Sequence, residues 1–270
     1  MTNHSAAVVQ MCSIADVEAN LAAAHALVAD AARQGARLVV VPEMFLTLDG
    51  SQFQSLAARS DLVSTLAAWA QDLGIWLVAG AIPLPSPDDD VRLRSACCVF
   101  NDQGEQVARY DKIHLFDVDV GDAQGSYQES DRFAPGEQVV VVDTPVGRLG
   151  LAICYDLRFA ELFQRLADQG AELISLPAAF THRTGEAHWQ SLLRARAIEQ
   201  QCFILAANQC GWHDDKRQTW GHSQIIDPWG QVLTELGHES GVALADIDLS
   251  WQQEVRRRMP VQQHRRLNKP

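Results

Sequence analysis

The amino-acid sequence predicts an α/β layered domain with mixed sheet, and three observations predict it. Short apolar runs of strand length alternate with amphipathic helical stretches from end to end. Turn signals of hairpin type stand at Asn101–Gly104 (NDQG), Pro145–Gly147 (PVG) and Asp227–Gly230 (DPWG), so some neighbouring strands must be antiparallel. Hydrophobic residues make up 47% and charged residues 21% of the 270, which suits one large domain with a full core.

In chain order, the first strand is expected at Ala6–Met11, followed by a helix over Asp16–Gln34. That helix opens on an aspartate able to cap it and closes before Gly35. Strands follow at Leu38–Val41, Trp76–Gly80, Ser95–Asn101 and Gln106–Ile113, with a helix at Asp61–Leu73. The run Pro83–Asp90 (PLPSPDDD) reads as a surface excursion, and His114–Gly136, which carries no period, as a long loop of functional kind. Beyond it come strands at Val139–Asp143, Leu149–Ile153, Leu173–Leu176, Cys202–Ala207, Ser223–Asp227, Gln231–Glu235 and Gly241–Asp246. Helices are expected at Leu157–Asp168 and Ala187–Gln201. No repeat or low-complexity linker interrupts this order, so residues 1–270 are expected to form a single domain.

Composition narrows the function classes. No apolar stretch reaches the roughly 18 residues that a membrane span needs, and MTNHSAAVVQM lacks the basic-then-apolar order of a secretory signal. A cytoplasmic protein is expected. The six cysteines have no CxxC spacing and several lie within apolar runs, which suits reduced thiols better than disulfides or zinc. The histidines form no paired-ligand pattern, so metal binding is not expected. Net charge is −12, from 22 basic and 34 acidic side chains, yet Arg256, Arg257, Arg258, Arg265, Arg266 and Lys269 form a basic tail over about 254–270. Nucleic-acid binding needs a basic face on a basic domain, so the tail is expected to be solvated or to contact a second subunit.

Three strand ends carry unexpected polar groups. Cys154 stands where the apolar run Leu149–Ile153 stops and a helical stretch begins, a place where helix N–H groups favour the thiolate and lower the pKa. Glu43 directly follows the strand Leu38–Val41, and Lys112 falls within the strand-like run QVARYDKI. Taken singly, each has a plain structural reading: a core thiol, a solvated cap, an edge charge. Taken together they fit attack on a carbon–nitrogen carbonyl or nitrile. A thiolate attacks carbon, a carboxylate moves the proton to the leaving nitrogen, and an ammonium holds the oxyanion.

The strings LVVVPEMF, YDKIHLFD and LGLAICYDLRFAEL resemble, in the right order, the three signature blocks of the nitrilase superfamily of carbon–nitrogen hydrolases. The resemblance runs from Ala6 to about Arg266. It implies a four-layer α-β-β-α sandwich, a Glu-Lys-Cys triad that works without metal or organic cofactor, and a homodimer or larger assembly. By that resemblance Glu43 is the general base, Lys112 the oxyanion cation and Cys154 the nucleophile. Glu129, in SYQES, positions substrate or lysine, and the backbone N–H of Tyr155 is the second oxyanion donor. Family nitrilases more usually carry Trp-Glu where this chain has Tyr155-Asp156, which disfavours nitriles. The blocks THRTGEAHWQSLLRARAIEQQCFILAANQCG, WGHSQIIDPWG and PVQQHRR are most similar to the deaminated glutathione amidase branch.

The expectation is therefore an amidase working through an acyl-thioester, splitting deaminated glutathione into 2-oxoglutarate and cysteinylglycine. The alternative is an ω-amidase for α-ketoglutaramate and α-ketosuccinamate, and a remoter one is a non-catalytic binding or redox-sensing role. Candidate substrate contacts are Phe116 and Tyr127 in the long loop and Phe180, Thr181, His182 and Arg183 after the strand at Leu173. Arg158 either reaches substrate or pairs with Asp156 or Glu161, Arg196 either pairs with Glu199 or reaches a ligand, and His188 and Trp189 cap a helix or face a partner.

Overall fold

The computed structural model describes residues 4–123 and 125–267. Its strand Ser5–Gln10 is buried at every position, and so are Leu38–Val40, Leu173–Ala178 and Phe203–Asn208. Strands covered on both faces read as unbroken apolar runs, which is why they stand out in the sequence. Alternate side chains divide between two cores. Ala6, Val8, Leu38 and Val40 pack toward a second sheet, against Leu149, Leu151, Ile174 and Leu176. Ala7, Val9 and Val39 face the other way, against Ala24, Val28, Leu66 and Trp69 on two helices.

The first sheet runs in the order Gly241–Asp246, Ser5–Gln10, Leu38–Val40, Trp76–Val78, Leu93–Phe100, Ile82–Pro85, with Gln106–Asp111 also on Leu93–Phe100. The second runs Val232–Glu235, Gln224–Ile226, Phe203–Asn208, Leu173–Ala178, Gly147–Leu151, Val141–Thr144. Central strands are parallel and outer ones antiparallel in both. Helices Val17–Arg33 and Leu62–Leu73 cover the outer face of the first sheet. Ala160–Asp168 and Gln190–Gln200 cover that of the second, through Leu162, Phe163, Leu193 and Ala197. The fold is α/β, with layers α-β-β-α. No helix among the described residues is long and apolar enough to cross a membrane.

Several expectations change. The excursion at Pro83 begins as an edge strand, Ile82–Pro85, where proline is tolerated because one side needs no N–H. The long loop contains a small hairpin, Asp117–Asp119 with Ser126–Gln128, and a 3-10 turn, Glu129–Asp131. A second unforeseen hairpin pairs Cys210–Trp212 with Gln218–Trp220. The basic tail is not simply solvated. Helix Leu249–Arg258 folds back on its own domain, with Arg256 donating to the carbonyls of Ala171 (3.0 Å) and Gln201 (3.2 Å). Arg265 pairs with Asp168, and Arg257 and Arg258 with Glu254. Lys269 lies outside the described residues. The helix expected from Ala187 starts earlier, at His182, and passes through a π-helical stretch, Gly185–Trp189. Trp189 is fully buried against Phe180 and donates to the carbonyl of His222, so it neither caps a helix nor faces outward.

Candidate active site

Glu43, Lys112 and Cys154 each follow the last residues of a strand: Leu38–Val40, Gln106–Asp111 and Gly147–Leu151. Carboxyl ends of strands in open α/β sheets are where ligands bind, and here two sheets deliver their ends to one spot. Lys112 stands just beyond its strand rather than within it, its backbone N–H still on the Ser95 carbonyl (2.9 Å) and its side chain turned inward to Glu43. Two glycines allow these carriers to pack. A Cβ on Gly80, whose φ is +55°, would lie 2.2 Å from the carbonyl oxygen of Pro42. One on Gly136 would lie 2.1 Å from that of Asp111. Each glycine therefore backs the residue immediately before a candidate site residue.

Lys112 Nζ donates to Glu43 Oε1 at 2.7 Å and to Glu129 Oε2 and Oε1 at 2.8 and 3.0 Å. Both carboxylates have a further backbone donor: Ala179 N–H to Glu43 Oε2 at 2.9 Å, and Phe116 N–H to Glu129 Oε2 at 2.7 Å. Lys112 is 2% exposed and Glu43 5%. Burial pulls the lysine pKa down, but the Glu129 and Glu43 carboxylates outweigh it and hold the ammonium well above its ordinary range. Burial pushes Glu129 up, against the pull of Lys112.

Cys154 sits at φ +44° at the head of a 3-10 turn, Cys154–Arg158, and its thiol faces the Glu43 carboxylate. A non-glycine residue in that region is strained, a state that persists where the surroundings over-determine it. Asp156 does so. It accepts from Ile153 N–H (2.8 Å), from the Tyr110 hydroxyl (2.7 Å) and from the His114 N–H (3.2 Å), while His114 Nδ1 lies 2.7 Å away. Fully buried, it ties the nucleophile turn to the segment around Lys112. Its pairing with Tyr110 and His114 leaves Arg158 to other partners.

The depressed thiol pKa expected from a helix N-terminus does not hold. The helix proper begins only at Ala160, and desolvation with the nearby Glu43 charge pushes the Cys154 thiol well above its ordinary value, Lys112 notwithstanding. The thiol lies beside a carboxylate able to receive its proton.

A cavity of about 230 Å³ opens over Cys154, with Glu43, Lys112 and Glu129 in its lining. Phe116, Tyr127, Tyr155, Phe180 and Thr181 form its walls, with Phe116 5.0 Å from both Tyr127 and Tyr155. Arg158 also lines it, its guanidinium 5.1 Å from the Phe180 ring and 3.1 Å from His188 Nδ1, not paired with Asp156 or Glu161. Arg196 pairs with Glu199 as expected. His182 and Arg183 do not line the cavity, whereas Arg132, Thr184 and Arg217, unmarked in the sequence, do.

Residues 5–257 match the family model for carbon-nitrogen hydrolase. The chain belongs to the carbon–nitrogen hydrolase family. Among curated relatives, this hydrolase is 43% identical to the deaminated glutathione amidase of Yersinia enterocolitica, over 98% of this chain and 94% of that one. Its fold superposes on the Caenorhabditis elegans NitFhit protein with a TM-score of 0.91 at 39% identity, covering 98% of this chain and 66% of that longer one. Saccharomyces cerevisiae Nit3, a member of branch 10 of the nitrilase superfamily, gives 0.85 at 30% identity, over 98% and 95% of the two chains.

Proposed function

We propose that this carbon–nitrogen hydrolase cleaves the amide of deaminated glutathione, releasing 2-oxoglutarate and cysteinylglycine. The observation that carries the reading is the buried Glu43–Lys112–Glu129 cluster set against the Cys154 thiol beneath one cavity. The 43% identity to a deaminated glutathione amidase supports the choice of substrate. Five of the six cysteines are buried and all six are free, which favours a reducing compartment, the cytoplasm.

In this mechanism Cys154 Sγ attacks the amide carbon while its proton passes to Glu43. The tetrahedral oxyanion is held by Lys112 Nζ and the Tyr155 N–H, each such donor lowering the barrier by about 3 kcal/mol. The carbon–nitrogen bond then breaks, Glu43 returns its proton to the departing amine, and the acyl group remains as a thioester. Water, losing a proton to Glu43, attacks the thioester. Collapse of that second oxyanion frees the acid and restores the thiol with the proton from Glu43. Glu129 fixes Lys112 and keeps it charged. With the Glu43 carboxylate facing the thiol, attack and proton transfer are coupled, which makes Glu43 indispensable.

The test compares deaminated glutathione and α-ketoglutaramate on the purified protein, with Cys154→Ala as blank. The expected outcome is a higher kcat/KM for deaminated glutathione. Glu43→Gln should cost about 10³-fold or more in kcat while Cys154 remains open to alkylation. A preference for α-ketoglutaramate would make the protein an ω-amidase, and full activity in Glu43→Gln would sink the mechanism.

A further inference from the structure

Three arginines line the cavity: Arg132, Arg158 and Arg217. Among the described residues none of them forms a salt bridge, whereas Arg59, Arg94, Arg196 and Arg257 all do. In a chain of net charge −12, guanidinium groups without a salt bridge gathered at one cavity need a reason.

Arg158 belongs to the turn that carries Cys154. Arg132 and Arg217 belong to the opposite arm, and both rest on the segment a few residues beyond Glu43. Arg217 donates from Nη1 to the carbonyl of Leu48 at 3.2 Å and lies over the Tyr127 ring, 5.7 Å from its centre. Its Nε is buried with no partner. The Arg132 guanidinium lies directly over Gly50, where a Cβ would come within 2.9 Å of Nε. The neighbouring acids are engaged elsewhere. Asp214 accepts from the backbone N–H groups of Lys216 and Arg217, at 2.7 Å each, and Asp49 accepts from Ser51 and Gln52. Arg217 is thus held by a backbone carbonyl and a ring, and Arg132 lies against Gly50; Asp214 and Asp49 are within electrostatic reach of them, yet neither carboxylate forms a salt bridge with either guanidinium. Fixed, unpaired arginines are the means by which proteins bind carboxylates.

The side of the cavity matters. Glu43 returns the proton to the leaving amine, and from Glu43 the chain runs through Met44 and Leu48 to Gly50, beneath Arg217 and Arg132. We propose that Arg217 and Arg132 form a carboxylate subsite for the amine half of the substrate, selecting amides whose leaving amine ends in a carboxylate several atoms beyond the scissile nitrogen. The subsite rests on the amidase reading and narrows it: amides that release only ammonia leave it empty.

The experiment is a calorimetric titration of Cys154→Ser protein with deaminated glutathione and with the same molecule bearing a terminal glycinamide. It is repeated in the Cys154→Ser background with Arg217→Gln, Arg132→Gln or Arg217→Lys added. The acid should bind about tenfold more tightly than the carboxamide, as a charge-assisted hydrogen bond implies. That ratio should fall toward one with Arg217→Gln, fall in part with Arg132→Gln, and recover in part with Arg217→Lys. Each ratio is taken within one protein, so a general loss of structure cancels. Equal Kd values for acid and carboxamide, a ratio that survives both glutamine substitutions, or no measurable binding of either ligand would overturn the subsite. Failure of the amidase reading shows separately, as no turnover of deaminated glutathione by the unsubstituted enzyme, while the acid-to-carboxamide ratio still decides the subsite.

Discussion

At the floor of the cavity one ammonium stands between two carboxylates, with Lys112 2.7 Å from Glu43 and 2.8 Å from Glu129, nearly closed to water. At its rim, Arg132, Arg158 and Arg217 carry three positive charges that form no salt bridge among the described residues. The floor's charges hold one another in place, so its geometry exists before any ligand arrives, and removing the lysine leaves two carboxylates buried without a cation. The rim's charges are completed from outside, so their removal should weaken binding and leave the fold alone. Substitutions at the two levels should therefore separate into loss of chemistry with loss of stability, and loss of affinity alone.

The largest effect is expected from Lys112→Met. Glu43 and Glu129 would face each other without a cation, costing about 3–5 kcal/mol of unfolding free energy and about 10³-fold or more in turnover. Denaturant unfolding and single-turnover kinetics measure the two, and a stability change below about 1 kcal/mol would break the comparison. Asp156→Asn comes next, since an amide cannot accept from Ile153, Tyr110 and the His114 backbone as the carboxylate does. A loss of about 2 kcal/mol is expected, with kcat falling more than KM rises, because the turn that aims Cys154 is loosened rather than the cavity wall. The smallest effect is expected from Arg158→Gln: kcat/KM for an anionic amide about tenfold lower, mainly through KM, with unfolding free energy within about 1 kcal/mol of the parent. A loss in kcat with KM unchanged would move Arg158 from the rim to the chemistry.

The sheets are legible because their central strands are buried on both faces, and the candidate site residues because Glu43 and Cys154 interrupt the chain just after apolar strands and Lys112 is a charge in a strand-like run. Other features depend on contacts that no local pattern records. The hairpin at Asp117–Asp119 is short and polar, so it leaves no alternation to read. The thiol pKa was misread because the helix argument is local, whereas burial and Glu43 act across 111 residues of chain. Arg132 and Arg217 carry no signal in the sequence at all, since what distinguishes them is a place at the cavity without a salt bridge among the described residues. Arg256 looked solvated for the same reason: the carbonyls it binds belong to Ala171 and Gln201, far back along the chain.

Gly80 and Gly136 touch neither thiol nor cavity, yet each lies against the carbonyl just before Glu43 or Lys112, at 2.2 and 2.1 Å from where a side chain would begin. Across a large collection of random variants, these two positions should tolerate change as poorly as the acid and the cation they support. In such a collection, intolerance alone would mislead a search for the residues that touch substrate. The freedom to diverge should lie instead at the arginine-bearing rim, where new preferences for the amine half can arise without disturbing the machinery beneath.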